Sequence, residues 1–416
     1  MSDKVVFKNE ERVQLGAIEC NVEIRNCLLI VSENGGTITI GGTLKIEGDT
    51  RIGSSLKARE LRARGRDTIS LDGDLETEGD VDIERGSLDV AGSVSAASVR
   101  VDRSLRVGGN ITCRVAMAGG SIDVQGKSTV QRIAVGGSAK LLGEVEAERL
   151  ESGGSLVIGG PLKCEEISAG GSVKTSSGTI DKVSVGGSFK ADGPVRIKEL
   201  SVGGSATVGN GSYVGHVDVG GSFRASGNVS FGEIDVGGAV RLEGSAEGVL
   251  IDIGGVLSVD GSLNLNGNLD VGGKVRVGGD LRCADTVRVG GVLSVRGKIE
   301  SFRIAVGGTV EASHVRVTDE FRIGSRGEVN APLEGRRILI KERARAGIIY
   351  GEEVRVEERA RVRSIYGARI YLEREALVES EVYYTEKLDF EDGVKFLVQP
   401  QRVSQLPPVS EVIRRT

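Results

Sequence analysis

Apolar residues recur along this chain in pairs, with one residue, most often polar, between the two members of each pair. Alternation with a period of two predicts β-strands in which every second side chain points inward. Each repeat holds three such pairs, which predicts three short strands per repeat. After Gly187, for example, the pairs are Phe189 with Ala191, Val195 with Ile197, and Leu200 with Val202.

A Gly-Gly dipeptide, usually followed by serine, separates the repeats at a nearly constant interval of about 17 residues. A period this short predicts a coil of stacked parallel strands. We expect each glycine pair to form a structural corner, where a positive φ or a close backbone approach is easiest without a Cβ. The second glycines of the pairs are Gly120, Gly137, Gly154, Gly171, Gly187, Gly204, Gly221, Gly238, Gly255, Gly273, Gly291 and Gly308.

The alternation continues where the double glycine is mostly absent, between Leu56 and Met117 and again beyond Gly308. We therefore predict an all-β, single-stranded triangular β-solenoid of roughly 22 rungs of about 17 residues. At ~4.8 Å per rung the coil would be about 100 Å long. The predicted organisation is an N-terminal tail (1–15), one continuous coil (16–396) and a proline-containing C-terminal tail (397–416).

The composition fits a narrow core of small aliphatic side chains: among 416 residues there are 63 glycines and no tryptophan, and aromatic residues make up 3%. The net charge is −5 with both signs mixed along the chain, so the charge does not predict nucleic-acid binding. Of the five cysteines, Cys164 and Cys283 fall at inward positions, which favours buried thiols over disulfides or metal ligands.

The N-terminal residues lack the apolar segment of a signal peptide, and no apolar run approaches the length needed to span a membrane. We therefore expect a cytoplasmic protein and leave membrane association open.

Catalytic chemistry is not indicated by the sequence. The only histidines, His216 and His314, lie nearly six rungs apart, and the corners are too close together for long active-site loops. No nucleotide-binding or calcium-binding glycine motif is present. The enzymatic rival is a hexapeptide-repeat acyltransferase, but those coils favour three equal hexapeptide sides per rung and need a catalytic histidine. We expect no enzyme, metal, cofactor or small-molecule substrate.

Two surface features are candidates for interaction. One is a group of basic residues around Arg59, Arg62 and Arg64, which would be either a solvated face or a contact for anionic lipid, nucleic acid or a partner. The other is Tyr350 and Tyr366, one rung apart, which would be either a packing ladder or an association surface.

The short rungs, V-x-V-G-G-S corners and polar tails resemble the bactofilins, a family of polymer-forming cytoskeletal proteins. The phrases that begin at Val354 (VRVEERARV) and Leu388 (LDFEDGVKF) look most like that family. The resemblance implies a right-handed parallel β-helix that associates end to end into nucleotide-independent filaments, often at the membrane. The chain is three to four times longer than a typical bactofilin core.

The sequence thus favours a structural protein that self-assembles into a filament or scaffold, with the chain itself as the main partner. A membrane surface and other cytoskeletal or scaffold proteins are further candidate partners, whereas nucleic acid is not expected. The alternative is a binding module that presents partners along a flat face.

Overall fold

The structure is a computed structural model that describes residues 4–414, without the side chains of 413 and 414. The protein is all-β: strands account for 67% of the residues, and parallel stacked coils form a β-solenoid of about 23 turns. The predicted fold class is therefore confirmed, close to the expected 22 rungs. The chain divides into two compact units, residues 1–208 and 209–416.

Unit 1 consists of short parallel strands, and the last residue of its final strand, β25, lies beyond the unit boundary. The strands are β1 (Lys4–Lys8), β2 (Arg12–Leu15), β3 (Ala17–Ile18), β4 (Asn21–Arg25), β5 (Leu29–Ser32), β6 (Ile38–Glu47), β7 (Arg51–Ile52), β8 (Leu56–Arg64), β9 (Thr68–Leu71), β10 (Leu75–Thr77), β11 (Asp80–Glu84), β12 (Ser87–Val90), β13 (Val94–Ser95), β14 (Ser98–Val101), β15 (Ser104–Val107), β16 (Ile111–Ala118), β17 (Ser121–Val124), β18 (Ser128–Val135), β19 (Ser138–Leu141), β20 (Val145–Ser152), β21 (Ser155–Ala169), β22 (Ser172–Val185), β23 (Ser188–Ala191), β24 (Val195–Val202) and β25 (Ser205–Gly209).

Unit 2 repeats this arrangement and adds the one helix found among the described residues. Its elements are β26 (Ser212–Val219), β27 (Ser222–Ser226), β28 (Val229–Val236), β29 (Ala239–Leu242), β30 (Ala246–Gly248), β31 (Leu250–Ile253), β32 (Val256–Val259), β33 (Leu263–Leu265), β34 (Leu269–Val271), β35 (Lys274–Val277), β36 (Leu281–Val289), β37 (Val292–Val295), β38 (Lys298–Val306), β39 (Thr309–Glu311), β40 (His314–Ile323), β41 (Glu328–Asn330), β42 (Leu333–Ile340), β43 (Arg345–Val356), β44 (Arg361–Leu372), β45 (Leu377–Val378), β46 (Val382–Phe390), β47 (Lys395–Phe396), β48 (Gln401–Arg402) and α1 (Val409–Arg414).

Each rung places equivalent residues directly beneath those of the next rung. In unit 1, Ser172 pairs with Ser188, and Val173 with Phe189. The inward members of each pair form the core, a column of buried Val, Ile, Leu and Ala with occasional larger residues such as Phe189. Because successive rungs also share backbone hydrogen bonds, each rung is stabilised chiefly by its two neighbours.

The three sides of a rung can be followed in the burial pattern of single strands. In β24, buried and exposed residues alternate until Lys198 and Glu199, which are both exposed, and the alternation then resumes. Two consecutive outward residues mark a corner, since a straight strand would turn the second one inward. Three pairs per repeat thus become three sides, as the sequence predicted.

The coil begins before residue 16, inside the segment that we expected to be an N-terminal tail. Strand β1 pairs in parallel with β4, and β2 pairs with β5. Val13 and Leu15 are both 2% exposed, so the i, i+2 pattern extends into this segment. We missed it because charged residues on either side gave residues 1–15 a polar, irregular appearance.

The C-terminal segment that we expected to be a tail also contains regular structure. Strand β48 pairs with β46, with Gln401 beside Tyr383. The helix α1 follows the prolines, and its Val412 is 1% exposed. Strand β48 therefore continues the coil beyond Pro400, and the chain that follows it packs back onto the coil.

Candidate functional site

The glycine corners are sites of close backbone approach between rungs. A Cβ placed on Gly153 would lie 2.1 Å from the Gly136 oxygen, and one on Gly154 would lie 2.8 Å from the Gly137 oxygen. The N–H of Gly154 donates to the Gly137 oxygen at 2.8 Å. None of these residues has a positive φ. We expected either a positive φ or a close backbone approach at these corners, and the close approach is the one that explains the glycines.

The same geometry recurs along the series in both units. In unit 1, the Gly171 N–H donates to Gly154 at 2.9 Å, Gly187 to Gly171 at 3.0 Å, and Gly204 to Gly187 at 3.0 Å. In unit 2, a Cβ on Gly238 would lie 2.3 Å from the Gly221 oxygen, and one on Gly255 would lie 2.2 Å from the Gly238 oxygen. These corners are structural and present no side chain for chemistry.

The corner chemistry changes beyond Gly308, where charged residues take the left-handed conformation. Arg326, Arg343, Arg359 and Glu375 have φ between 58° and 61°, and Gly393 has a φ of 81°. Successive positions in this series lie one rung apart along the chain. The change from glycine pairs to charged corners in the sequence therefore corresponds to a different type of turn in the backbone.

The basic residues near the N-terminus do not form a single positive surface. Strand β8 turns a corner between Arg59 and Arg62, because Leu61 follows the partly exposed Glu60 as the next buried residue. Arg62 pairs with Glu60 at 3.1 Å, and Arg64 pairs with Glu84 at 3.5 Å. Their neighbours Arg51 and Lys57 are likewise paired, with Asp72 at 2.8 Å and Glu76 at 2.7 Å. The acids thus neutralise most of the predicted patch.

Tyr350 and Tyr366 stack as the sequence predicted, and Tyr383 extends the stack to a third rung. The ring centroids of Tyr350 and Tyr366 are 6.2 Å apart, and those of Tyr366 and Tyr383 are 5.6 Å apart. We call these three residues the tyrosine ladder. Burial, together with the Glu334 carboxylate, raises the pKa of the Tyr350 hydroxyl. The Tyr366 hydroxyl donates to the Glu381 carboxylate.

The tyrosine ladder is covered by the C-terminal segment of the same chain. Val412 of α1 packs with Ile348 and Tyr366 in one buried cluster. Leu406, Tyr350 and Tyr383 pack against the edge of that cluster. The sequence offered a packing ladder or an association surface, and in this structure the ladder packs against its own chain.

The last described rung carries an exposed apolar surface, which sequence reasoning missed. Phe390, Leu397 and Val398 are 57%, 68% and 43% exposed. Phe390 contacts Phe396 edge to face, with ring centroids 5.4 Å apart. We call these four residues the end patch. The signal was present in the sequence, since Phe390, Phe396 and Leu397 interrupt an otherwise charged stretch at the point where the periodicity stops.

The backbone beside the end patch is also unpaired on one side. Strand β46 pairs with β44 along Lys387–Phe390. On its other side, β48 pairs only with Tyr383 and Tyr384. Within the described residues, no strand therefore covers the second edge of Leu388, Asp389 and Phe390. An uncovered strand edge beside apolar side chains is a template for another chain.

The first described strand has a different character. Strand β1 carries Lys4 and Lys8 beside the exposed Val5 and Val6. The Lys4 ammonium pairs with the Glu23 carboxylate, which is 1% exposed and also pairs with Arg25. Lysines on an edge strand oppose pairing with another sheet. This end of the coil is therefore more protected by charge than the end patch.

One buried carboxylate, which the sequence did not single out, is held by three arginines. Asp319 is 3% exposed, and its side chain accepts hydrogen bonds from Arg303 at 2.9 Å, from Arg337 at 3.0 Å and from Arg336. It lies in a β-bulge of β40, where the pairing register with both neighbouring rungs shifts. Hydrogen bonds from Arg336 and Arg303, the main causes, hold the pKa of the Asp319 carboxyl far below its usual range.

The histidines and cysteines of the described residues are the remaining candidates for metal binding or acid–base chemistry. No cluster of His, Cys, Asp and Glu among residues 4–414 could hold a metal ion. His216 pairs with Glu233 on an exposed surface, and burial lowers the pKa of His314. Burial also raises the pKa of the Cys164 thiol to about 12, which makes the thiol unreactive. None of the helices described in this structure has the length and apolar character needed to cross a bilayer.

Comparison with known families identifies one segment of unit 2. Residues 252–348 match the family model described as "Bactofilin: Polymer-forming cytoskeletal". The resemblance that the sequence suggested is thus confirmed for this segment, which contains the last glycine corners and the first charged ones. No curated protein and no solved structure matches the chain.

Proposed function

We propose that this chain is a cytoskeletal scaffold protein that self-assembles into filaments, and that one of its contacts is the end patch. The match of residues 252–348 to a polymer-forming cytoskeletal family supports the structural role. The observation that carries the contact is the combination, at one end of the coil, of exposed Phe390 and Leu397 with an uncovered strand edge. A second copy placed there would bury the apolar side chains and complete the backbone hydrogen bonds.

The sides of the coil support this choice of contact because most of their charges are already paired within the chain. Examples are Arg132 with Glu151 at 2.6 Å, and Arg359 with Glu375 at 2.7 Å. A lateral contact would have to desolvate such pairs for little gain. The end patch carries no such cost at Phe390 and Leu397.

A structural role also fits the chemistry of the described residues, which provide no metal cluster, and burial raises the pKa of the Cys113 and Cys164 thiols to about 12. We therefore propose no enzymatic activity and no cofactor. Location in the cytoplasm and association with a membrane surface or other scaffold proteins remain predictions from the sequence, as does a single coil that runs continuously from residue 16 to residue 396.

The contact is tested by the double variant Phe390→Arg/Leu397→Arg, with assembly followed by sedimentation velocity. A guanidinium forced into an apolar contact without a partner costs more than about 1.4 kcal/mol, so we expect association at least about tenfold weaker than in the wild type.

The matched control is Phe302→Arg, which changes an exposed phenylalanine on a side of the coil, 38% exposed beneath the Arg303 guanidinium. This variant should associate like the wild type. Equal assembly of the double variant and the wild type would rule out the end patch as the contact.

A further inference from the structure

The segment that leaves the coil after β48 lies across the tyrosine ladder. We call residues 403–414 the strap. Its anchor is Val412, which is 1% exposed and packs against Tyr366 (2%) and Ile348 (6%). Leu406 and the flanking rings of Tyr350 and Tyr383 enlarge the contact. The strap therefore packs on a mainly apolar surface.

The strap would not keep its conformation on its own. Its helix α1 has six residues, Val409–Arg414, and helices of this length are not stable in water without tertiary contacts. The N–H groups of Glu411 and Val412 both donate to the Pro408 oxygen, so the helix begins at the proline pair. The conformation of the strap thus depends on the surface that it contacts and not on internal hydrogen bonding.

The strap begins beside the end patch. Strand β48 covers Tyr383 and Tyr384 on the last rung, and the Val403 N–H donates to the Tyr384 oxygen at 2.9 Å. Leu397 and Val398, which belong to the end patch, lie only a few residues before this strand. Two copies joined through their end patches would therefore bring their straps and tyrosine ladders close together.

The linker within the strap is long enough to reach the tyrosine ladder of its own chain or that of a second copy. Six residues, 403–408, connect β48 to α1, and an extended chain of that length spans up to ~20 Å. Tyr366 lies two rungs from Gln401 in the same chain, or about 10 Å at the usual strand spacing. In a second copy abutting end to end, the equivalent tyrosine would lie about three rungs away, or about 15 Å.

We infer that the strap is exchanged between two copies joined at their end patches, so that Val412 of each chain occupies the Ile348 and Tyr366 surface of the other. The inference rests on the proposed function, because it requires the end-to-end contact. The exchanged contacts are identical to those within one chain, so the exchange sacrifices none of them. Joined ends also hold each strap at a high effective concentration near the second ladder. The exchanged straps then stabilise the contact that the two end patches form between the copies.

The experiment uses full-length chains that carry Cys20→Ser, because Cys20 is the one native cysteine that is not fully buried. One chain carries Val412→Cys and the other carries Ile348→Cys, and the two are mixed under assembly conditions and oxidised. A third chain carries both substitutions and reports closure within one molecule. The collision control pairs Val412→Cys with Ser230→Cys, an exposed position in β28 on the side of the coil.

We expect the Val412→Cys and Ile348→Cys mixture to form a disulfide-linked dimer at least about tenfold faster than the collision control. A doubly substituted chain that closes on itself, combined with a mixture no faster than the control, would overturn the exchange. Failure of both to cross-link would overturn the strap contact itself. Sedimentation of the same samples separates the two proposals: association without mixed cross-links removes only the exchange, whereas a lack of association removes the proposed function as well.

Discussion

At the scale of single residues, the short distance between rungs requires glycine at the corners. In Gly153, the hydrogen that a Cβ would replace faces the Gly136 oxygen of the rung below at a distance that no side chain tolerates. Adjacent to this contact, the Gly153 N–H donates to the Val135 oxygen at 2.9 Å. The residue thus joins two rungs through its backbone alone.

Replacing this glycine by alanine should separate the rungs locally. We expect Gly153→Ala to lower the free energy of unfolding of unit 1 by about 1–3 kcal/mol, the usual cost of overpacking a tightly packed site. Chemical denaturation followed by circular dichroism measures this change. The matched control is Gly36→Ala, where a Cβ would meet nothing within 4 Å and φ is not positive. Equal effects of the two substitutions would contradict the close-contact explanation.

At the scale of elements, the β40 bulge shows how a rung accommodates an extra residue. Thr318 and Asp319 lie opposite a single residue in each neighbouring rung, which turns Asp319 inward. A bulge that turns a polar side chain inward must also supply a hydrogen-bonding partner for that side chain. Here the guanidinium groups of the rungs on both sides supply it, so the carboxylate joins three successive rungs.

The Asp319 network should make stability depend on pH in a defined direction. Because the folded pKa lies below the ordinary value of 3.8, the contribution is complete above that value and is lost as the pH falls toward the folded pKa. We expect Asp319→Asn to unfold at lower denaturant than the wild type at pH 7, and this difference to narrow below about pH 4.

The matched control for that substitution is Asp72→Asn, which breaks the exposed ion pair with Arg51. It should change stability less than Asp319→Asn at pH 7, because exposed ion pairs contribute little. Denaturation curves at a series of pH values test both statements. A difference between wild type and Asp319→Asn that is constant from pH 7 to pH 3 would contradict the proposed role of the carboxylate.

The elements that the sequence predicted are those specified by local repetition. Alternating pairs such as Leu200 and Val202 identify strands, and their spacing identifies rungs, because each rung sees almost the same environment. The tyrosine stack followed from the same spacing. The strap and the Asp319 network could not be predicted, since the strap lies outside the repeat and Asp319 occupies the extra position of a bulge, which has no equivalent in the neighbouring rungs. Arg59 and Arg62 lie on different sides of a rung, and predicting this would have required the exact position of one corner.

At the scale of the whole molecule, the repeats supply stability while the proposed function depends on where they stop. A solenoid satisfies its backbone groups rung by rung, so only a terminal rung is left with an open edge. In this chain the last described rung combines that edge with the end patch and with a strap that covers the tyrosine ladder. The segment that matches a polymer-forming family lies earlier in the same unit, at residues 252–348.

The most direct test of self-assembly is negative-stain electron microscopy of the purified wild-type protein over a range of concentration and salt. The account predicts filaments whose number and length increase with protein concentration. The end-patch contact within these filaments should persist at high salt, because it is made chiefly by the apolar side chains of Phe390 and Leu397. Only single-chain particles under every condition would contradict the account.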